Sequence, residues 1–223
     1  MASHVEMTYF IPLDLRIDPV EKEHFVRKHI PELKKKYANS GQGLANVGNV
    51  TKLFPKTIAQ TNQYVDSLGL TTRAVTLFAG DANTASWVIH ADGVYYNDKP
   101  ALLEARLSYY ELAESPGTIR WWDNLPMVMQ ELPATAHSAA RLNVMAECAE
   151  LLRDRYMGWD ELPPVTFEAE TSVASAILRT DHAHHVIQGS GLRITISCQL
   201  VFADGNPHGV WEHIKNNIMV LGV

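Results

Sequence analysis

The stretch Leu192-Arg193-Ile194-Thr195-Ile196-Ser197 alternates apolar and polar residues without a break. In extended chain, successive side chains point to opposite faces, so Leu192, Ile194 and Ile196 share one face and Arg193, Thr195 and Ser197 the other. A strand of this kind, running on to Phe202, either wets its polar face or turns it into a polar interior. In a small barrel, such a face lines a ligand pocket. An arginine there suits bidentate capture of a carboxylate, and a neighbouring hydroxyl can share the load.

Working outward, further strands are expected at Arg73 to Phe78, Trp87 to His90, Leu102 to Tyr110, Ile119 to Trp122, Thr166 to Glu168 and Ala174 to Arg179. A helix is expected from Pro19 to Tyr37, with Asp18 as N-cap, Pro19 at the first helical position and Glu21 placed for a capping box. A second runs from Lys56 to Leu68 and stops at Gly69. A long helix is expected from Thr135 to Tyr156, with Leu142, Met145, Ala149 and Leu152 on one face, and Val210 to Met219 reads as a short helix or packing segment. Helices, then strands, then a helical insertion, then strands argue for a closed or two-sheet β-architecture rather than βαβ units. The expectation is one domain over residues 1–223, mainly β with flanking helices and a helical insertion at about 123–164.

The bulk numbers restrict the function. At 223 residues, with 46% hydrophobic and 20% charged residues, the chain is long enough to bury one substantial core. Lys plus Arg is 19 against 25 for Asp plus Glu, a net charge of −6, which argues against a broad nucleic-acid footprint. Cys148 and Cys198 form no C-x-x-C pair, so neither a zinc knuckle nor a disulfide framework is expected. Both are expected to be buried thiols. The N-terminus has no basic region followed by an apolar core, and no apolar run approaches the ~20 residues that span a bilayer. The expected compartment is the cytoplasm, with no membrane partner.

Two more constellations carry chemistry. In His90-Ala91-Asp92, the histidine and the aspartate point to the same side of an extended chain and can converge on one metal ion. In Thr180-Asp181-His182-Ala183-His184-His185-Val186, three histidines stand in four positions. Histidine is the commonest metal ligand, and His182 and His184 share a face while His185 points the other way. Each pattern alone also fits ordinary surface.

Their order is strand, H-x-D, several strands, T-D-x-x-H-x-V, then R-x-T on the next strand. This resembles the 2-oxoglutarate/iron(II)-dependent dioxygenase superfamily over about Val75 to Phe202, and within it the small branch similar to aspartyl/asparaginyl and prolyl hydroxylases. The resemblance implies a double-stranded β-helix (jelly-roll, cupin-like) barrel. It implies Fe(II) held by His90, Asp92 and His184, and 2-oxoglutarate as co-substrate with its far carboxylate on Arg193 and Thr195. It further implies hydroxylation of an unactivated C–H bond in a protein, peptide or amino acid. Two departures stand out. The spacing from His184 to Arg193 is one residue short, which keeps His182 and His185 open as third ligand. Glu104-Ala105-Arg106 stands where the family often carries an asparagine. Trp121, Trp122, Tyr95, Tyr96, Tyr109 and Tyr110 are candidates to line the pocket.

Three other readings compete: a cupin-type metal enzyme, a zinc hydrolase on the same three ligands, and a non-enzymatic β-barrel binding protein. Arg193 in an apolar strand favours the 2-oxoglutarate reading over the cupin-type one, and succinate release coupled to added 2-oxoglutarate would separate it from all three.

Overall fold

The computed structural model describes residues 8–38, 49–80, 89–132, 141–146, 162–187 and 189–221. The strands are β1 (Phe10–Leu13), β2 (Thr71–Gly80), β3 (His90–Ala91), β4 (Gly93–Tyr96), β5 (Lys99–Leu102), β6 (Ala105–Tyr109), β7 (Thr118–Trp122), β8 (Met127–Leu132), β9 (Arg141–Ala146), β10 (Phe167–Glu170), β11 (Ser175–Arg179), β12 (Ala183–Ile187) and β13 (Arg193–Val201). The helices are α1 (Pro19–Ala38), α2 (Val50–Leu53), α3 (Pro55–Ser67) and α4 (Val210–Leu221).

Eleven of these strands form two antiparallel sheets. One has five strands in the order β1-β11-β6-β13-β2, and the other six in the order β10-β7-β12-β3-β9-β8. β4 and β5 make a separate hairpin, turned by Asn97 and Asp98 at φ 50° and 59°. Two consecutive positive φ values are what a two-residue turn needs to match strand twist. The strands make a two-sheet jelly-roll rather than a barrel hydrogen-bonded all the way round.

The period-2 pattern of β13 decides which side is which. Ile194, Ile196, Cys198 and Leu200 face the helices, where they meet Phe25, Phe54, Val65 and Trp211 in the main core. Cys198 is thus the buried thiol expected, whereas Cys148 lies outside the described residues. A second, smaller core of Tyr9, Phe10, Tyr110, Ile119, Trp121 and Leu178 lies between the two sheets. Arg193, Thr195 and Ser197 face that inter-sheet space.

Asp18 caps α1 as expected, its Oδ1 accepting from the Val20 and Glu21 amides at 3.1 Å. Glu21 does not close a capping box. It crosses to the start of α3 and accepts from the Lys56 amide at 2.6 Å and the Thr57 amide at 3.0 Å. The Asp18 amide donates instead to Thr57 Oγ1 at 3.0 Å. The two helix starts therefore satisfy each other's orphan donors.

The helix expected from Thr135 to Tyr156 is corrected over its described part. Arg141–Ala146 is a strand, paired with β8 on one side and β3 on the other. The remainder of that stretch lies outside the described residues, as do residues 81–88 with Trp87 and Val88. Within 123–164, the described strands β8 and β9 form one end of the six-stranded sheet. No described helix is long and apolar enough to cross a membrane.

Candidate metal and co-acid site

β3 and β12 lie side by side in the six-stranded sheet, with His90 directly opposite His184. Both side chains project into the space between the sheets, and their ring centroids are 4.4 Å apart. Asp92 follows two residues after His90 and points to the same side. Its backbone is pinned at both ends: its amide donates to the Thr180 carbonyl at 2.8 Å, and its carbonyl accepts from the Leu103 amide at 2.8 Å. The result is that one ligand atom from each of His90, Asp92 and His184 lies within 4.8 Å of the others, the only such grouping among the described residues.

The electrostatics suit a cation. Nδ1 of His184 lies 2.9 Å from the His182 carbonyl. A carbonyl only accepts, so Nδ1 is the protonated nitrogen and Nε2 keeps its lone pair for a ligand. Burial, aided by His90, pushes His184 down to about 4, so the ring is neutral near neutral pH. Burial opposes the charged form of Asp92, but Arg106, His184 and His90 outweigh it and hold its pKa below the ordinary carboxylate value. Arg106 donates from Nε to Oδ2 of Asp92 in a close ion pair.

A cavity of about 110 Å³ extends from this triad between the sheets. It is far larger than the ~10–15 Å³ that admits one water, so a small acid fits. Arg193, Thr195, Ser108 and Tyr110 line it, with Phe78, Ile119, Trp121, Leu178 and Val186 as apolar walls. Ser108 and Ser197 satisfy each other at 3.0 Å. The Arg193 Nε, the Thr195 Oγ1 and one Arg106 nitrogen are buried with no hydrogen bond. Buried polar groups are nearly always paired, so three on residues lining one cavity indicate a polar ligand. Burial lowers the pKa of Arg193 and raises that of Tyr110, and each of the two opposes the shift in the other.

His90, Asp92, His184, Arg193 and Thr195 therefore share one cavity, despite the short spacing between His184 and Arg193. His182 and His185 do not. His182 sets Nδ1 3.0 Å from the Asp181 carboxylate and packs edge-on to Tyr9. His185 is buried on the opposite side of β12, in register with Arg120. Of the six candidate aromatics, Tyr110 and Trp121 line the cavity. Trp122 donates to the Pro163 carbonyl at 3.0 Å, Tyr109 bonds Thr61 at 2.8 Å on the helix side, and Tyr95 and Tyr96 belong to the β4–β5 hairpin. Arg106 is the residue that sequence patterning missed. Its signal was the departure at Glu104-Ala105-Arg106, which put a charge at an otherwise strand-like position without assigning it a role.

No family model matches the sequence, and no curated protein matches it. Among solved structures, HygX from Streptomyces hygroscopicus with nickel and 2-oxoglutarate bound is similar at TM-score 0.51 and 11% identity, over 89% of this chain and 84% of that one. The viral collagen prolyl hydroxylase vCPH from Paramecium Bursaria Chlorella virus-1, in its 2OG complex, is similar at TM-score 0.44 and 11% identity, over 89% of this chain and 98% of that one. The likeness to HygX establishes a shared jelly-roll fold.

Proposed function

We propose that the chain is an iron(II)- and 2-oxoglutarate-dependent oxygenase that hydroxylates an unactivated C–H bond of an amino acid, peptide or protein. The observation that carries this reading is the sharing of one cavity by a two-histidine, one-carboxylate triad and a buried arginine whose Nε has no partner. Two imidazoles and one carboxylate occupy one face of an octahedral ion and suit non-haem Fe(II) with open positions. The donor set present fits iron, and the orphaned donors fit a dicarboxylate. HygX, whose fold this chain shares, holds nickel and 2-oxoglutarate, which supports the same pairing here.

In this reading, His90, Asp92 and His184 hold the metal, and 2-oxoglutarate with O₂ supplies the oxidising equivalents at it. Arg193 grips the far carboxylate through its planar fork, with Thr195 as second donor. Asp92 stays ionised because Arg106 faces it. His184 offers Nε2 because the His182 carbonyl holds its other nitrogen. Trp121, Ile119 and Val186 keep bulk water from the cavity wall. A zinc hydrolase would use the same three ligands but leave the Arg193 and Thr195 donors without a purpose.

Anaerobic addition of Fe(II) and 2-oxoglutarate is the direct test. A weak visible charge-transfer band, and succinate release once O₂ is admitted, are the expected results. Absence of the band with both added removes this reading.

A further inference from the structure

Arg106 has a geometry that metal ligation and far-carboxylate capture do not use. It stands on β6, whose Ala105 and Leu107 are packed into the helix-side core, while Arg106 and Ser108 face the inter-sheet cavity. Its Nε is committed to one oxygen of Asp92. Its Nη1 is buried and bonds nothing. Arg106 lies opposite Gln199 on β13, six residues along the strand from Arg193. At ~3.3 Å per residue, the two arginines spring from backbone positions roughly 20 Å apart. Yet the Arg106 guanidinium reaches 5.9 Å from the centroid of Phe78, which pairs with Thr195, only two residues from Arg193. Both arginines thus line the same cavity from well-separated backbone positions.

We infer that Arg106 is a second anion anchor, fixing Asp92 through Nε and taking the carboxylate next to the ketone of 2-oxoglutarate through Nη1. The inference rests on the proposed function and adds a residue to it. A carboxylate has two oxygens, so engaging one through Arg106 leaves the other for the metal. An acid that shares the metal with Asp92 must lie beside the guanidinium already bound to Asp92. A short chain with a carboxylate at each end then spans from Arg106 to Arg193. This gives the departure at Glu104-Ala105-Arg106 a role, with a charged fork standing where the family often has an asparagine amide.

Removing one end of the ligand tests the assignment. Binding to protein saturated with Mn(II) is measured by titration calorimetry, with 2-oxoglutarate and with 2-oxopentanoate, which lacks the far carboxylate. Loss of one charge-assisted bond predicts that Arg106→Met weakens both acids by a similar factor, about ten- to a hundredfold. Arg193→Met is expected to weaken 2-oxoglutarate strongly and 2-oxopentanoate little. Arg106→Lys keeps the charge without the fork and is expected to recover part of the loss. The proposal is overturned if Arg106→Met binds both acids like the wild type at saturating metal, even with weakened metal affinity, since Arg106 then serves Asp92 alone. It is also overturned if only 2-oxoglutarate is weakened. Should Arg106→Met fail to fold by circular dichroism, Arg106→Lys and Arg106→Gln are read against the same criteria. A wild type that binds neither acid defeats the proposed function itself, a result distinct from those of the variants.

Discussion

His90 and His184 are cross-strand neighbours, directly opposed in register, with ring centroids 4.4 Å apart. Residues opposed across antiparallel strands have Cβ atoms ~4.5–5.5 Å apart, so the backbone ladder itself sets the spacing of the two imidazoles. Slipping β12 by one residue would turn His185 inward and His184 outward.

That register yields the first prediction. His184→Ala should abolish Fe(II) or Mn(II) binding, because the triad loses one of three donors. His182→Ala and His185→Ala should bind metal nearly as the wild type does, since His182 is engaged by Asp181 and His185 lies on the other side of β12. Calorimetry with Mn(II) on the three variants is the measurement. A dead His185→Ala variant with an active His184→Ala variant would show the register to be wrong.

The second prediction separates co-substrate from metal. A buried carboxylate deprived of its partner typically loses ~3–5 kcal/mol. Arg193→Ala should therefore weaken 2-oxoglutarate by roughly two to four orders of magnitude at ~1.4 kcal/mol per tenfold. Arg193→Lys should keep part of the affinity, and both variants should retain metal. Unchanged 2-oxoglutarate affinity in metal-loaded Arg193→Ala would remove Arg193 from the site.

A third prediction concerns the C-terminal helix. The Glu104 carboxylate accepts from the Gly209 amide at 2.8 Å and the Trp211 amide at 3.0 Å, capping the start of α4 from the connection between β5 and β6. Glu104→Ala leaves two helix-start donors without that acceptor and should cost about 1–3 kcal/mol in urea unfolding. Glu104→Gln keeps an acceptor and should cost less. Equal stability of all three proteins would mean that water replaces the cap.

The fourth prediction is chemical. Burial pushes the Cys198 thiol up to about 12 against a small opposing effect of Arg106. At pH 8 the thiolate, the form that alkylates, is therefore scarce. The Cys198 peptide should stay unmodified by iodoacetamide in native protein and react fully in guanidinium, as read by mass spectrometry. Rapid native labelling would mean that the helix-side core opens readily.

Much of this arrangement was legible because β-strands write their two faces as alternation. Arg193, Thr195 and Ser197 were separable from Ile194 and Ile196 by counting alone, and His90 and Asp92 by the same rule. The choice among His182, His184 and His185 was not, since it depends on which residue of β12 meets His90, a long-range pairing. Arg106 was hidden for a similar reason: its partner Asp92 lies 14 residues away on another part of the fold. The segment Arg141–Ala146 misled in the other direction. Arg141, Leu142, Met145 and Ala146 are strong helix formers, but pairing with β3 and β8 outweighs that local preference.

Among the described residues, β3 spans His90 and Ala91 and meets β12 through the pair His90–His184, backed by the Asp92 amide bond to Thr180. Beyond it lie β9 and β8, so among the described residues those two strands join the rest of the six-stranded sheet's ladder through β3. An ion taken by His90, Asp92 and His184 would bridge that seam, acting as a clasp between two flaps of sheet. Loading the metal would then slow amide exchange in β8 and β9 well away from the ligands, and stripping it with a chelator would loosen those strands before the helix-backed sheet gives way.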